Sequence, residues 1–334
     1  MQLIHDEDHD RAHAEGHDHH HHDHETTYTP SEEVQEQIDK AAKASGATGP
    51  TRRRTLTGIA AALGGTMAGL GFLGPRPATA VAAEVRAEEG SRVSNFAASA
   101  LNGSRTIRDL SHVFDNNFPV YTPYVLIPNN QQSAHFDIDG FNAMKLEMDE
   151  HTGTHMDAPA HFSTDPAAWH SDEIPVNNLV AELCVIRIAD RAFNNPEALV
   201  TADDIRRHES RHGRIPKGSL VAMDSGWCGR VTRPGAFIIR DSEGNPHFPG
   251  FGFDAAEYML ERQVAGAVSD TPSLDSGANS HNPGAHKQLL PANKYGIEGA
   301  NNLHTVPDRG AVAIVGTTRH KGGFGGPTRL IAVY

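Results

Sequence analysis

One stretch of twelve residues constrains this chain more than any other. From His151 to Phe162 it reads H-T-G-T-H-M-D-A-P-A-H-F, and three histidines and one aspartate fall within eleven positions, at His151, His155, Asp157 and His161. Imidazole and carboxylate together are the ligand set of zinc, manganese and iron(II) sites. The stretch therefore predicts a metal-binding active centre.

The spacing of these side chains predicts their local structure. All four positions are odd-numbered, so on an extended strand they share one face. A straight strand would separate His151 from His161 by roughly 33 Å, whereas two donors on one ion are only about 4 Å apart. The chain must therefore bend, and Gly153 and Pro159 are the residues suited to a bend. We expect a strand that runs into a tight loop; the alternative interpretation is a polar surface loop with scattered histidines.

Composition narrows the class of protein. The 334 residues are enough for one large domain or two, and the hydrophobic content of 38% is typical of a globular protein. The net charge of −13 argues against non-specific binding to nucleic acid. Two cysteines, Cys184 and Cys228, make no disulfide framework, although they could pair outside the cytoplasm. Cys184 lies in an apolar run and is expected to be a buried thiol.

The N-terminal region is acidic and rich in histidine. Its first 24 residues contain seven acidic residues, one arginine and nine of the 22 histidines. Such a segment has too few apolar side chains to bury a core, so residues 1–50 are predicted to be a disordered region. A solvated tail, a tag and a weak metal-collecting tail are alternative interpretations of its histidines.

A basic, then apolar, then small-residue order follows at residues 51–82. The sequence T-R-R-R-T-L-T precedes an Ala- and Gly-rich apolar run, and P-R-P-A-T-A-V-A-A closes it. This order is typical of a signal peptide, and the pair Arg52 and Arg53 resembles the twin-arginine type. We therefore expect export to the periplasm or the exterior through the twin-arginine translocase. A buried Ala/Gly helix is the alternative, and the short, Gly-rich run predicts no stable membrane anchor.

Residues 83–105 are predicted to be a linker, and residues 106–334 the functional domain. Apolar periodicity predicts two helices, at 201–209 with a Thr201 N-cap and at 253–263. Strands are predicted at 106–112, 141–148, 179–188, 219–224, 310–315 and 328–333. Because helices and strands alternate throughout, the class is α/β or α+β.

Several motifs in this domain point to one family. The stretch from His151 matches H-x-G-T-H-x-D-x-P-x-H at every fixed position. The other motifs are D-L-S-H at Asp109–His112, D-T-P-S-L-D at Asp270–Asp275, the run from His286 to Glu298, and the ending G-P-T-R-L-I-A. Together they resemble the metal-dependent cyclases, a family that includes bacterial kynurenine formamidase and isatin hydrolase. The resemblance covers roughly Ile107 to Val333.

The resemblance implies an α/β fold, namely a swivelling β/β/α domain with a small β-barrel-like core flanked by helices. It also implies a homodimer or homotetramer. By the pattern of the family's dinuclear members, His151, His155, Asp157 and Glu298 would hold one divalent ion, and Asp157 and Glu298 would bridge to a second ion held also by His286. His161 corresponds to the family's acid/base histidine and can also approach the second ion. The implied cofactor is Zn or Mn, one or two ions per chain.

These expectations predict a hydrolase in which a metal-activated water attacks the carbonyl of a small cyclic or linear amide, imide or lactone. His161, with an ordinary pKa of about 6.5, would pass a proton to the leaving atom. Ser273, Asp270 and His320 are candidates for supporting the ligands. The alternatives are a non-catalytic exported metal-binding protein and a cyclase or dehydratase of secondary metabolism.

The early aromatic loop departs from one branch of the family. Kynurenine formamidases carry a tryptophan there that stacks on the aryl substrate, whereas this chain has Phe118, Tyr121 and Tyr124. The difference argues against kynurenine formamidase activity.

Overall fold

The computed structural model describes residues 103–334, so the predicted tail and signal peptide and most of the predicted linker lie outside the described residues. The longer strands are β1 Ile107–Asp109, β2 Gln131–Ala134, β3 Ala143–Lys145, β4 His155–Asp157, β5 Val180–Arg187, β7 Leu220–Asp224, β11 Gly266–Ser269, β12 Tyr295–Glu298, β13 Ala311–Thr317 and β14 Gly325–Val333. Two-residue strands are β6 Leu199–Val200, β8 Ile239–Arg240, β9 Pro246–His247 and β10 Gly250–Phe251. The α-helices are α1 Phe136–Asp139, α2 Ala189–Asn194, α3 Ala202–His212, α4 Phe253–Glu261 and α5 Gly284–Leu289. No helix among residues 103–334 is long and apolar enough to cross a membrane.

A closed barrel organises this part of the chain. Its strand order is β14-β13-β5-β7-β11-β12-β4, and pairing of β4 with β14 closes the ring. The run from β5 to β12 is parallel, while the pairs that involve β13, β14 and β4 are antiparallel. Strand β1 extends the sheet by pairing with β14. The predicted fold class, a β-barrel-like core flanked by helices, is confirmed.

Two apolar cores lie on the two faces of the barrel sheet. Successive side chains of a strand point to opposite faces, and β7 shows this clearly: Leu220 and Ala222 join one core, and Val221 and Met223 join the other. The second core packs α3, α4 and α5 against the parallel strands. Because both faces of β7 are covered, its sequence is apolar throughout rather than alternating.

Local sequence signals place the helices well. Thr201 caps α3 by accepting a hydrogen bond from the Asp204 backbone N–H, and the Asp204 carboxylate accepts one from the Thr201 N–H in return. This capping box satisfies two N–H groups that a helix start leaves unpaired. The predicted helices at 201–209 and 253–263 are confirmed as α3 and α4.

The strand predicted at 141–148 is wrong in extent. Only Ala143–Lys145 form a strand, and they pair with β2 in a separate two-stranded sheet. This strand has no place in the barrel, and Met144 remains 61% exposed. Alternating residues therefore mark an isolated hairpin here rather than a core strand.

The histidine-rich stretch bends as its spacing predicts. Gly153 has φ 73°, a left-handed conformation that favours glycine. The short strand β4 follows at His155–Asp157, and Pro159 opens a 3₁₀-helix that ends at Phe162. Both predicted bends are confirmed, since the chain turns before the strand and again after it.

Candidate metal centre

Strand β4 is enclosed by two other strands at the point where its ligands lie. His155 pairs with Glu298 of β12, and Asp157 pairs with Gly296 of the same strand. On the other edge, Asp157 pairs with Gly325 of β14. The barrel thus brings Glu298 beside His155, although 143 positions separate them in the chain.

One group of side chains is local in sequence. His151, His155 and Asp157 offer ligand atoms that all lie within 4.8 Å of one another. The Nδ1 atom of His151 is 2.7 Å from Oδ1 of Asp157, and Nε2 of His155 is 3.4 Å from the same oxygen. We call these three residues the local group.

A second group spans the chain. Asp157, His286 and Glu298 also bring ligand atoms within 4.8 Å of one another. The Nε2 atom of His286 lies 3.3 Å from Oδ2 of Asp157 and 3.1 Å from Oε1 of Glu298. We call Asp157, His286 and Glu298 the distant group. Because Asp157 belongs to both groups and uses a different oxygen in each, the two groups are adjacent.

His161 lies beside the two groups without belonging to either. Its ring centroid is 4.2 Å from that of His151 and 6.3 Å from that of His286. Burial lowers the pKa of His161 from its ordinary value; the Asp157 carboxylate opposes this shift, and His151 and His286 reinforce it. A neutral imidazole is therefore held at the edge of the ligand cluster.

Gly296 and Gly325 have no side chain where a larger residue would crowd the candidate ligands. A Cβ atom on Gly296 would lie 3.3 Å from Oδ2 of Asp157 and 2.8 Å from Leu274, while one on Gly325 would lie 2.8 Å from Cε1 of His151. Any larger side chain at either position would press on a candidate ligand. Each neighbouring strand therefore contributes a glycine where it passes the site.

Backbone and carboxylate groups orient the ligands. The Nδ1 atom of His155 is 3.1 Å from the carbonyl oxygen of Gly153, a contact in which the ring donates and Nε2 is directed to the carboxylates. The Leu274 N–H donates to Oε1 of Glu298 at 2.8 Å. Nδ1 of His286 is 2.6 Å from Oδ2 of the buried Asp275. The D-T-P-S-L-D loop therefore holds Glu298 through its Leu274 backbone and His286 through its last aspartate.

The three residues expected to support the ligands do not contact them. Asp270 instead accepts hydrogen bonds from the Ser225 hydroxyl at 2.6 Å and from the backbone N–H groups of Ser225 and Trp227. His320 pairs with the Glu150 carboxylate, and Ser273 accepts from the Asp275 N–H at 3.3 Å. The D-T-P-S-L-D motif did indicate the correct loop, but both of its aspartates have a backbone-capping role, and only Asp275 also reaches a ligand.

Charge is concentrated in the cluster. Burial works against ionisation of Asp157, yet the neighbouring side chains of His151, His155 and His286 hold its pKa well below the ordinary value. Burial also disfavours the charged form of His155, but the carboxylates of Asp157 and Glu298 raise its pKa to about 10. Burial likewise disfavours the charged form of His286, but the carboxylates of Asp157, Asp275 and Glu298 raise its pKa well above its ordinary value. The buried carboxylates thus create a site that attracts positive charge.

The residues fit a divalent cation. Nε2 of His155 and Oδ2 of Asp157 are buried and accept or donate no hydrogen bond, although such atoms are nearly always satisfied in folded proteins. Both point into the cluster of carboxylates and imidazoles described above. Three histidines with two carboxylates form a donor set suited to zinc, manganese or iron(II). The unsatisfied atoms are those that a bound ion would use.

Comparison with known proteins agrees with this arrangement. A family model described as "Putative cyclase" matches residues 108–276, half of the chain. The chain belongs to the cyclase family. Isatin hydrolase of Roseibium aggregatum is 32% identical over 259 residues, which are 73% of this chain and 97% of that protein.

Solved structures of isatin hydrolases are similar to this chain over the whole barrel. An isatin hydrolase bound to the product analogue thioisatinate has a TM-score of 0.69 and 31% identity, over 73% of this chain and 98% of that one. Isatin hydrolase A from Ralstonia solanacearum has a TM-score of 0.68 and 30% identity, over 72% of this chain and 96% of that one. Together with the donor set, these similarities identify the cyclase-family chain as a metal-dependent hydrolase.

Proposed function

We propose that the protein hydrolyses a small cyclic amide, imide or lactone, or a small linear amide, with a divalent metal ion as cofactor. The observation that carries the proposal is the position of Asp157, whose two oxygens face the local and the distant group. The similarity to isatin hydrolases supports a C–N bond as the target. The predicted site residues His151, His155, Asp157, His161, His286 and Glu298 are thereby proposed to act together.

The metal ion is proposed to be Zn or Mn, with one or two ions per chain. The local group and the distant group would hold it, with Asp157 common to both. A divalent ion in such a site supplies Lewis acidity, which polarises a carbonyl group and lowers the pKa of water. The buried carboxylates balance the ion's charge, and the barrel wall keeps bulk water away from them.

His161 is proposed to move the proton. Its lowered pKa keeps the ring neutral at neutral pH, so it can accept a proton from attacking water and then donate it to the leaving nitrogen. Its ring lies against His151 at the edge of the cluster, where a substrate would approach. Because His161 belongs to neither ligand group, it can transfer a proton without first dissociating from a metal ion.

Aromatic residues lie close to the site. The Phe162 ring is 4.8 Å from the His286 ring, centroid to centroid. The Phe114 ring lies against Gly153, and Phe114 and Phe118 line a neighbouring cavity of 730 Å³ whose lining includes none of the candidate ligands. A cavity of this size fits a small molecule.

The test is turnover of a matched panel of isatin-like cyclic amides, cyclic imides, lactones and acyclic anilides. Opening of at least one compound by the metal-loaded chain, and not by the Asp157→Asn variant, is the expected result. No turnover of any compound by a chain that holds stoichiometric metal would refute hydrolysis and favour a metal-binding role.

We propose that copies of the chain associate as a homodimer or homotetramer. Residues 113–148 form a segment with many exposed large apolar side chains, and isolated soluble chains rarely leave such patches uncovered. The side chains that are at least 58% exposed include Tyr124, Ile127, Phe136, Ile138, Phe141 and Met144. Light scattering should give a mass of two or four chains, and Phe136→Ser with Ile138→Ser should reduce it; a monomeric wild type would contradict this.

We also propose that residues 106–334 are the hydrolase domain of an exported protein. The support is the order of basic, apolar and small residues at 51–82, with Arg52 and Arg53 at its start. Replacing both arginines by lysine should keep the chain inside the cell, as measured by fractionation. Equal export of this variant and the wild type would refute the twin-arginine route.

A further inference from the structure

Asp275 lies at the junction between a loop and a ligand-bearing helix. Its carboxylate accepts hydrogen bonds from the backbone N–H of Ala285 at 2.8 Å and of His286 at 3.1 Å, at the start of α5. The residue is 1% exposed. Two backbone donors therefore fix the position of this carboxylate before it meets any side chain.

The same carboxylate contacts the His286 ring. Oδ2 of Asp275 is 2.6 Å from Nδ1 of His286, and the ring's other nitrogen faces Asp157 and Glu298 at 3.3 and 3.1 Å. A carboxylate that accepts from one ring nitrogen fixes the tautomer, leaves the other nitrogen free as a ligand, and makes it more basic. The Phe162 ring, 4.8 Å from His286, also limits the ring's rotation.

This contact touches only the distant group. His286 is the single histidine of that group, whereas the local group has two histidines of its own. In the local group, the carbonyl of Gly153 performs the corresponding task for His155. Loss of the Asp275 carboxylate should therefore weaken one group and spare the other.

We propose that Asp275 is a positioning residue that makes His286 a metal ligand and so determines occupancy of the distant group. The inference rests on the proposed metal centre. It goes beyond the metal centre because it assigns to Asp275, which is not itself a ligand, an effect on metal binding by the distant group alone.

Asp270 provides a matched control. It belongs to the same D-T-P-S-L-D loop, is fully buried, and also accepts backbone N–H groups, those of Ser225 and Trp227. It contacts no histidine of the cluster in the described residues. Asp270→Asn and Asp275→Asn therefore each remove a buried carboxyl group that caps backbone N–H groups in the same loop, and only Asp275 touches a candidate ligand.

The experiment titrates full-length, metal-stripped wild type, Asp275→Asn, Asp275→Glu and Asp270→Asn with Mn²⁺ or Zn²⁺ against a chromogenic chelator. The N-terminal histidines are common to all four chains, so differences report on the barrel. The second readout is the rise in Tm on adding the ion, which a purely structural effect would not change.

For Asp275→Asn we expect one ion to bind 10–100-fold more weakly, the other ion to be retained, and the metal-induced rise in Tm to shrink. Asp270→Asn should bind like the wild type, and Asp275→Glu should recover part of the loss. Unchanged binding in Asp275→Asn, or equal losses in both asparagine variants, would overturn the proposal while leaving the metal centre intact. A wild type that binds no ion beyond its N-terminal histidines would instead refute the metal centre, and this inference with it.

Discussion

The local and distant groups reach the same aspartate by different means. The local group comes from seven consecutive residues, His151 to Asp157, and a single bend at Gly153 brings its histidines to the carboxylate. The distant group needs the barrel, because β12 must pair with β4 to place Glu298, and α5 must follow β11 to place His286. The local group is thus assembled by a short sequence motif, whereas the distant group is assembled by the packing of strands and a helix that are far apart in the chain.

The difference also appears in what surrounds each group. His151 is partly exposed, with a side-chain exposure of 20%, whereas His286 and Glu298 are each 7% exposed. The distant group is supported by the Leu274 N–H and by Asp275. The distant group is therefore the one that depends more on surrounding structure, and His151 is the candidate ligand at which exchange with solvent is easiest.

The largest effect is expected at the residue that the two groups share. Asp157→Asn removes a charge from both groups and keeps the shape of the side chain, so metal binding and turnover should both fall to background. Circular dichroism should show that the fold survives, with the exposed Asp203→Asn as a control. Full activity in Asp157→Asn would contradict the shared role of Asp157.

The next effect separates proton transfer from metal binding. His161→Gln should lower kcat by about 10²–10⁴-fold, the usual contribution of general acid–base catalysis, while the metal content stays at the wild-type level. The measurement combines kinetics with elemental analysis of the same sample. Loss of an ion in His161→Gln would show that this residue is a ligand first.

A smaller loss of metal affinity is expected when either glycine beside the site is replaced by alanine, and each replacement should affect one group more than the other. Gly325→Ala places a methyl group 2.6 Å from the backbone carbonyl oxygen of Met156 and 2.8 Å from Cε1 of His151, so it should displace both the β4 backbone and the ring and weaken the local group. Gly296→Ala presses on Asp157 and on Leu274, whose N–H holds Glu298, so it should weaken the distant group more. We expect a change of about tenfold in metal affinity for each, since overpacking a well-packed interior costs about 1–3 kcal/mol. Chelator competition on both variants checks this, and no change in either would contradict the packing.

The smallest effect on the site is expected far from both groups. Glu209 accepts hydrogen bonds from Arg262 and the Tyr258 hydroxyl. Burial opposes its ionisation, but these donors lower its pKa from 4.5 to about 2. Because the folded-state pKa is depressed, this stabilisation is complete above about pH 4.5 and is lost as the pH falls towards 2.

The corresponding variant is Glu209→Gln. It should lower the free energy of unfolding at neutral pH by about 2 kcal/mol and flatten the loss of stability between pH 4.5 and 2, with unchanged metal affinity. Urea unfolding at several pH values measures this. An unchanged acid slope in the variant would contradict the role of Glu209.

Much of the fold was predictable where the signal is local. The capping box at Thr201, the apolar strand at Val180–Arg187 and the bend at Gly153 all depend on residues close in sequence. The barrel closure between β4 and β14 depends on pairing across most of the domain, and no periodicity indicates it. The family resemblance supplied the barrel that local patterns left open.

The site divides in the same way. His151, His155 and Asp157 are evident from their spacing, while His286 and Glu298 were expected only from the resemblance. Within D-T-P-S-L-D, a supporting role is predicted for Asp270 and Ser273, whereas Asp275 is the residue that contacts His286. Sequence spacing gives no means of choosing between these two aspartates, because the choice depends on where α5 packs.

The most direct test of the account is removal and restoration of the metal. A chelated chain, shown by elemental analysis to be metal-free, should lose its hydrolysis of a cyclic amide, and added Mn²⁺ or Zn²⁺ should restore it at one or two ions per barrel. Restoration should fail in Asp157→Asn. Undiminished hydrolysis by the metal-free wild type would contradict the central claim that these ligands form a catalytic metal centre.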